Sequence, residues 1–363
     1  MAQRRAPRAV FDYVDGGAGG EVSIAQARRA FDRVEFHPRV LRDVAEVSTS
    51  TTILGQEASL PLVLAPTGFT RMMHQGGERA VARAAAREGL PYALSTMGTT
   101  TPEELIAVEP AGSRWFQLYV WRDRARAEAL IDRVEAAGFH TLALTVDVPV
   151  TGDRRRDARN GLTIPPALRW RSIVDGALHP RWWFDFLTTE PIRFATLTDE
   201  GEALEDVIDR TFDPAVTMED LSWLRGRWSG SLVVKGVMRV DDARQIASLG
   251  VDGIVVSNHG GRQLDRSVIP LEVLPPIVDA VGGQLEVFVD GGVRSGADVV
   301  AAVGLGARAA LIGRAYLYGL MAGGERGVER ALAILRDDVV RTMRLLGVRS
   351  LDELDPSMVT LRV

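Results

Sequence analysis

Eight short apolar, β-rich runs punctuate this chain at a nearly constant interval, and that rhythm leaves few folds open. The runs are Pro61–Gly68, Pro91–Thr96, Trp115–Val120, Thr141–Val148, Ser231–Val237, Asp252–Gly260, Leu285–Val293 and Arg308–Tyr316. Their starts lie 30, 24, 26, 90, 21, 33 and 23 residues apart. Apart from one long gap, that is the length of a strand plus its crossover helix. Helical patterns fall between them at Glu78–Glu88, Arg124–Ala137, Val240–Leu249 and Gly296–Val303. The runs are nearly continuously apolar, as parallel strands covered on both faces must be. Eight such units predict an α/β fold, a closed (β/α)8 TIM barrel rather than an open sheet. With 46% hydrophobic and 25% charged residues, the 363-residue chain can fill one large core.

The spacing gives a single domain over 1–363. Residues 61–160 and 213–346 form the barrel. Residues 1–60 form an N-terminal extension of short helices (Ala6–Asp15, Ser23–Asp32) and a small β segment (Ser48–Leu54). The long gap after strand four is a loop insertion, 161–212, carrying Trp170, Trp182 and Trp183 with Arg169, Arg171 and Arg181. Residues 327–346 read as a closing amphipathic helix, with Val328, Leu332, Leu335, Val339, Met343 and Leu346 on one face. Residues 347–363 are a C-terminal tail. No apolar run is long enough to span a bilayer, and no apolar stretch follows the basic residues of 1–10. Cysteine is absent, which removes disulfides, thiolate nucleophiles and iron–sulfur clusters. A cytoplasmic protein is expected. The net charge of −5 offers no basic surplus for nucleic acid, and no metal site is assigned.

Of the 43 basic residues, 42 are Arg, and Lys235 is the one lysine. It sits in the apolar run SLVVKGV, where a compact ammonium does what a planar guanidinium cannot. Every apolar run ends in polar or Gly-rich residues, and strand C-termini carry the active site in this fold. These ends are Thr67-Gly68, Ser95, Gln117 with Tyr119, Thr145 with Asp147, Lys235, Ser257 with His259, Asp290, and Gly313-Arg314. The loops after strands seven and eight, DGGVRSG (290–296) and Gly313-Arg314, each open onto a helix N-terminus and predict a phosphate site aided by Arg294 and Arg314. No GxGxxG follows the first strand, so a Rossmann dinucleotide site is not indicated. In SNHGGR (257–262), His259 offers a proton acceptor near neutral pH, and Arg262 a fork for a carboxylate. That pair suits a substrate with a hydroxyl beside a carboxylate. Asp147 can stabilise a protonated His259. Arg154 lies in a run of four Arg within six residues, ordinarily a solvated face, and His37, His74, His140 and His179 read as structural or surface residues. Tyr13 and Tyr119 are candidate hydroxyl donors. Lys235 suits a fixed positive charge facing a hydride acceptor that becomes anionic.

Together, SNHGGRQLD, LAPTG, FQLYV, LTVDVP, VVKGV, VDGGVRSG and IGRAY resemble the FMN-dependent 2-hydroxy-acid oxidase and dehydrogenase family over nearly the whole chain. That family includes glycolate oxidase, lactate oxidase, mandelate dehydrogenase and flavocytochrome b2. HPRWWFDFLTT and GRAYLYGLMAGGE make the chain most similar to its respiratory, quinone-type L-lactate dehydrogenases. The resemblance implies FMN as cofactor. It implies His259 as base with Asp147 as partner, and Arg262, Arg154 and Tyr13 on the substrate carboxylate. Tyr119 would bond the substrate, and Lys235 would stand near flavin N1 and the C2 carbonyl. Thr67, Gly68, Ser95, Gln117, Thr145 and Ser257 would contact the cofactor. Asp290, Gly292, Arg294, Gly313 and Arg314 would take its ribityl chain and phosphate.

Met97 stands where glycolate oxidase has a pocket Trp, which favours a methyl group or something larger. Position 68 is Gly where many oxidases of the family have Ala, as in the membrane dehydrogenases and lactate monooxygenase. The implied reaction is L-lactate to pyruvate, with a quinone or cytochrome as electron acceptor, in a homotetramer; the alternatives are an oxygen-using lactate oxidase or monooxygenase, and a dehydrogenase of mandelate or another 2-hydroxy acid. The insertion 161–212 reads equally as a lid or as a peripheral contact with the inner face of the cell membrane. The competing readings are another phosphate-binding barrel enzyme, such as an isomerase, and a barrel that only stores flavin.

Overall fold

The structure is a computed structural model that describes residues 1–119, 123–161, 175, 177–196 and 212–362. Arg169, Trp170 and Arg171 lie outside the described residues. The eight runs form the eight strands of one closed barrel: β4 (Leu62–Leu64), β5 (Tyr92–Ser95), β6 (Arg114–Leu118), β7 (Thr141–Thr145), β8 (Ser231–Val237), β9 (Gly253–Val256), β10 (Glu286–Asp290) and β11 (Ala309–Ile312). All are parallel, in the circular order β10-β11-β4-β5-β6-β7-β8-β9. Most strands are shorter than their sequence runs, because the last residues of each run leave the ladder to build the mouth.

Alternation divides the strand side chains between two cores. Val63, Ala65, Ala93, Trp115, Ala143, Val233, Val255, Phe288, Ala309 and Leu311 fill the barrel's interior. Trp115 meets Phe288 edge to face at 5.5 Å. Leu62, Leu64, Leu94, Phe116, Leu142, Leu144 and Ile254 face outward to the helices. Among these are α5 (Gly77–Arg87), α6 (Pro102–Val108) and α7 (Arg124–Ala136). The capping box of Thr101 with Glu104 starts α6, a signal the periodicity reading passed over.

The extension is more structured than the sequence suggests. It has α1 (Ala2–Arg5), α2 (Arg8–Asp15) and α3 (Val22–Asp32), then β1 (Val34–Phe36), β2 (Thr51–Ile53) and β3 (Gln56–Ala58). β2 and β3 form a hairpin around Leu54-Gly55, both at positive φ as a two-residue turn requires, and Ile53 and Ala58 cap the interior core. β1 pairs antiparallel with β12 (Val359–Leu361), so the expected tail is tied to the extension. Three residues per strand are too short to announce themselves by periodicity.

Beyond α8 (Arg155–Asn160), the insertion contributes α9 (Pro180–Thr188), and α10 (Met218–Arg227) returns the chain to the barrel. Then follow α11 (Val240–Ser248), α12 (Pro270–Val281), α13 (Gly296–Gly304) and α14 (Arg314–Leu346). The expected closing helix is the second half of α14, which breaks at Gly323 and Gly324. All six residues expected on its inner face are buried. The two halves touch backbone to backbone, since a Cβ on Gly327 would lie 1.9 Å from the Gly319 carbonyl oxygen. Gly327→Ala is therefore expected to cost about 1–3 kcal/mol of stability through overpacking. Urea unfolding would show a lower midpoint, and an unchanged midpoint would refute the close approach.

Candidate active site

The strand C-termini open into one cavity of about 1160 Å³. Tyr13, Thr67, Gly68, Ser95, Met97, Gln117, Tyr119, Thr145, Arg154, Lys235, His259, Arg262, Asp290, Gly292, Arg294, Gly313 and Arg314 all line it. Of the residues singled out from sequence, Asp147 and Ser257 alone stand behind the wall, each bonded to residues that form it.

Asp147 leaves β7 and meets His259 Nδ1 at 3.0 Å. Burial alone would raise the Asp147 pKa. The charges of His259 and Lys235 and the His259 hydrogen bond outweigh it and hold the carboxyl below its ordinary value. An ionised carboxylate only accepts, so Nδ1 donates its N–H to Asp147, and Nε2 is the ring nitrogen turned to the cavity as the candidate base. His259 holds a left-handed φ of 57°, and its N–H donates to Ser257 Oγ at 3.0 Å. Ser257 Oγ also accepts from Lys235 Nζ (3.1 Å) and donates to Asp290 Oδ2 (2.9 Å). Lys235 Nζ lies 3.3 Å from that same Asp290 oxygen. One of its N–H groups is given to Ser257, and the Asp290 carboxylate pairs with its charge, so the ammonium is held at the cavity wall. The strand bulges just past Lys235 at Gly236 (φ 111°), where a Cβ would strike Asp147 at 2.6 Å. Glycine there lets the carboxylate pack beside the lysine strand.

Three cations gather on the opposite rim. The Arg262 guanidinium lies 4.8 Å and that of Arg154 5.4 Å from the Tyr13 ring centroid. Arg262 Nη1 donates to the carbonyls of Tyr13 (2.5 Å) and Gly16 (3.2 Å). The Tyr13 side chain pairs with it as well, and burial and Arg154 lower its pKa. Arg154 Nε faces Asp157 at 3.6 Å, and its guanidinium also pairs with Tyr13; both forks border the cavity. Arg314 donates from Nε to Val14 O, from Nη1 to Gly260 O and from Nη2 to Gly16 O, each at 2.9 Å. Burial and Arg262 push it down to about 10. Tyr119 is buried, and burial and the Asp147 charge raise its pKa, so its hydroxyl stays protonated.

The phosphate loops differ from the sequence argument in one respect. The first amides of α13 are already taken. Asp298 Oδ2 accepts from Arg294 N (2.8 Å) and Ser295 N (3.0 Å), while Asp338 Oδ2 accepts from Gly296 N (2.7 Å) and Ala297 N (3.2 Å). Of the two helix N-termini expected to meet an anion, α13 is capped by carboxylates. By contrast α14, whose N-cap Gly313 makes no side-chain cap, opens onto the cavity.

The ring end presents fixed donors and acceptors. Gln117 Oε1 accepts from Ser95 Oγ (3.0 Å) and Thr96 N (3.3 Å), which turns Nε2 outward, buried and unpaired. Thr145 Oγ1 is buried and unpaired as well. Tyr316 has one hydroxyl proton and gives it to Ala65 O (2.9 Å), so at 2.6 Å the Thr67 hydroxyl must donate to Tyr316 and can only accept from the cavity. Gly68 lies against Met97, where a Cβ would sit 3.0 Å from the Met97 Cβ.

Arg28 on α3, which nothing in the spacing marked, lines the cavity beside Gly292 and bonds Gly292 O and Asp298. Trp182 and Trp183, already named in the insertion, line the rim on α9 with Phe186 and Leu187, and Trp182 Nε1 donates to Met72 O at 2.9 Å.

The family described as FMN-dependent dehydrogenase matches residues 2–361. A Mycobacterium tuberculosis protein provisionally named an L-lactate dehydrogenase is 57% identical over 360 residues, covering 99% of this chain and 87% of its own. The L-lactate dehydrogenase of Caulobacter vibrioides (strain NA1000 / CB15N) is 44% identical over 369 residues, covering 100% of this chain and 96% of its own. The crystal structure of the monotopic membrane protein (S)-mandelate dehydrogenase superposes with a TM-score of 0.96 at 38% identity, over 99% of this chain and 97% of that one.

The orphaned Gln117 Nε2 and Thr145 Oγ1 fit a flavin, whose ring edge carries both hydrogen-bond acceptors and a donor. Removing an unpaired buried hydroxyl should not destabilise the apoprotein. Thr145→Val is therefore expected to leave its unfolding midpoint unchanged or raised, while FMN affinity falls about five- to ten-fold for one lost hydrogen bond. Apoprotein unfolding and quenching of FMN fluorescence measure the two; an unchanged affinity would place the hydroxyl away from the cofactor.

Proposed function

Because the chain belongs to the FMN-dependent dehydrogenase family, and so carries out FMN-dependent oxidation of a 2-hydroxy acid, we propose that it converts L-lactate to pyruvate and passes the electrons to a quinone or cytochrome. One observation carries the reading: a carboxylate-backed imidazole and two guanidinium forks share one cavity with the lone ammonium. The first pair suits removal of a proton from a carbinol, and the forks suit the carboxylate beside it.

Bound FMN supplies the two-electron acceptor. Arg262 and Arg154 bind the substrate carboxylate beside Tyr13, whose hydroxyl adds a donor. Tyr119 bonds the substrate oxygen. Held there, the substrate turns its carbinol toward His259 Nε2, which takes a proton. Asp147 stabilises the resulting imidazolium, as a buried carboxylate does for a catalytic histidine. Lys235 places fixed positive charge where negative charge develops, held in position by Ser257 and Asp290. Gln117, Ser95, Thr145, Thr67 and Gly68 seat the ring. Gly292, Arg294, Gly313 and Arg314 take the ribityl phosphate.

Lactate is favoured by the two named relatives and by Met97, an apolar wall for a methyl group. The cavity volume and the mandelate enzyme with the same fold favour a second reading, a 2-hydroxy acid with a larger side chain. Among the described residues no helix is long and apolar enough to cross a membrane. Leu178, Phe184 and Leu187 are nonetheless 75%, 68% and 73% exposed on and beside α9, which supports peripheral attachment of the insertion to the inner face of the cell membrane. A homotetramer is part of the same proposal, and light scattering checks it.

Under anaerobic conditions L-lactate should bleach the flavin band and D-lactate should not. A flavin loaded into the cavity that no L-2-hydroxy acid bleaches would defeat the proposal. With oxygen present, stoichiometric peroxide or acetate would replace the dehydrogenase reading with an oxidase or monooxygenase. Lys235→Arg should keep the fold and lose flavin reduction by about 10²-fold or more, the scale of removing one charge-stabilising donor. Stopped-flow reduction rates near native would contradict the role given to the ammonium.

A further inference from the structure

Arg154 and Arg262 both lie against one tyrosine ring, and like charges repel. Arg262 is fixed by two carbonyls at the end of α2. Arg154 is held through side chains, those of Asp157 at 3.6 Å and of Tyr13. Its place depends on α8, the six-residue helix that starts just after it.

A second arginine of the same run ties that helix down. Arg156 Nη1 meets Asp15 Oδ2 at 2.9 Å and Asp12 Oδ1 at 3.5 Å, and its Nη2 bonds Glu21. Asn160, at the far end of α8, donates to Asp12 Oδ2 at 2.7 Å. The same carboxylates are held from their own side. Asp15 accepts from Tyr318 OH at 2.7 Å, Asp12 lies 3.4 Å from Arg8 Nε, and Glu21 Oε1 accepts from Gly17 N at 3.2 Å. Arg156 is about one-third exposed and forms no part of the cavity wall.

We propose that Arg156 is a positioning residue for the substrate carboxylate, clamping α8 to the α2 end so that Arg154 is held against Tyr13 near Arg262. It fixes the backbone that carries Arg154. An isolated ion pair this exposed is worth little, but a guanidinium bridging three carboxylates across two elements is a network. The proposal rests on the assignment of Arg154 to the substrate carboxylate.

The test uses the FMN-loaded enzyme and the variants Arg156→Gln, Arg156→Lys, Arg154→Gln and the double variant Arg154→Gln/Arg156→Gln. Arg156→Gln should raise KM for L-lactate about ten-fold with kcat within about two-fold, the pattern of lost ground-state binding. Binding of oxalate, which has no carbinol hydrogen, should weaken by the same factor, read from the flavin absorbance. Arg156→Lys should recover part of the loss. In the Arg154→Gln background, Arg156→Gln should change KM by less than about two-fold, because the residue acts through Arg154. A merely structural role would lower the unfolding midpoint and leave KM alone, or keep its full effect without Arg154; either result overturns the proposal. A native KM in Arg154→Gln itself would overturn it differently, by removing the carboxylate assignment beneath it.

Discussion

The end of α2 is held by two half-buried arginines, and the working shape of the mouth follows from that contact. A helix C-terminus leaves carbonyls without partners and carries partial negative charge. Here the carbonyls of Tyr13, Val14 and Gly16 are met by Arg262 and Arg314, the first from the loop after β9 and the second from the start of α14. Arg314 also takes Gly260 O, so one guanidinium joins the extension, the histidine loop and the barrel's last unit. Tyr13 is thereby seated against both Arg154 and Arg262. With Arg28 on Asp298 and the β1–β12 pairing, this cap sets the extension against the barrel, where it forms one wall of the cavity.

A second set of bonds organises the opposite side. Ser257 Oγ accepts from Lys235 and from the His259 amide and donates to Asp290, which uses its full hydrogen-bonding capacity. It joins β8, β9 and β10 at their C-terminal ends, so the lysine and the histidine cannot shift independently. Gly236 gives the bulge that brings Asp147 beside them. The ammonium and the imidazole are parts of one unit, of which Ser257 and Asp147 stand behind the cavity wall and Asp290 lines it.

Much of this was legible in the sequence, and the limits have physical causes. The barrel was readable because eight buried strands repeat one composition at one spacing. Arg262, Lys235 and His259 were readable because each breaks a local pattern: a fork after glycines, a lone lysine in an apolar run, a histidine at a strand end. The β1–β12 pairing was not, since three-residue strands show no periodicity and their partners lie at opposite ends of the chain. The expected anion site at α13 misjudged which helix end was open. Its amides are capped by Asp298, three residues past the Ser295 N-cap, and by Asp338 from a distant helix. The first was visible as a capping box and the second was not. Arg156 sat in a run that composition assigns to solvent, and its three carboxylate partners are 135 to 144 residues away.

The arginine rim carries an electrostatic cost. Arg154, Arg262 and Arg314 crowd one edge, and burial with mutual repulsion brings Arg314 down to about 10. A fold selected for stability alone would replace such a cluster with apolar packing, since buried charge is seldom a net gain. Asp157 lines the cavity beside Arg154, while Asp12, Asp15 and Glu21 stand behind the wall, so arginines dominate this rim in a protein of net charge −5. That rim suits an anion. A bound carboxylate or phosphate adds its binding free energy to stability by mass action. The mutual repulsion of the arginines becomes selectivity, because a neutral molecule of the same shape would leave it unrelieved.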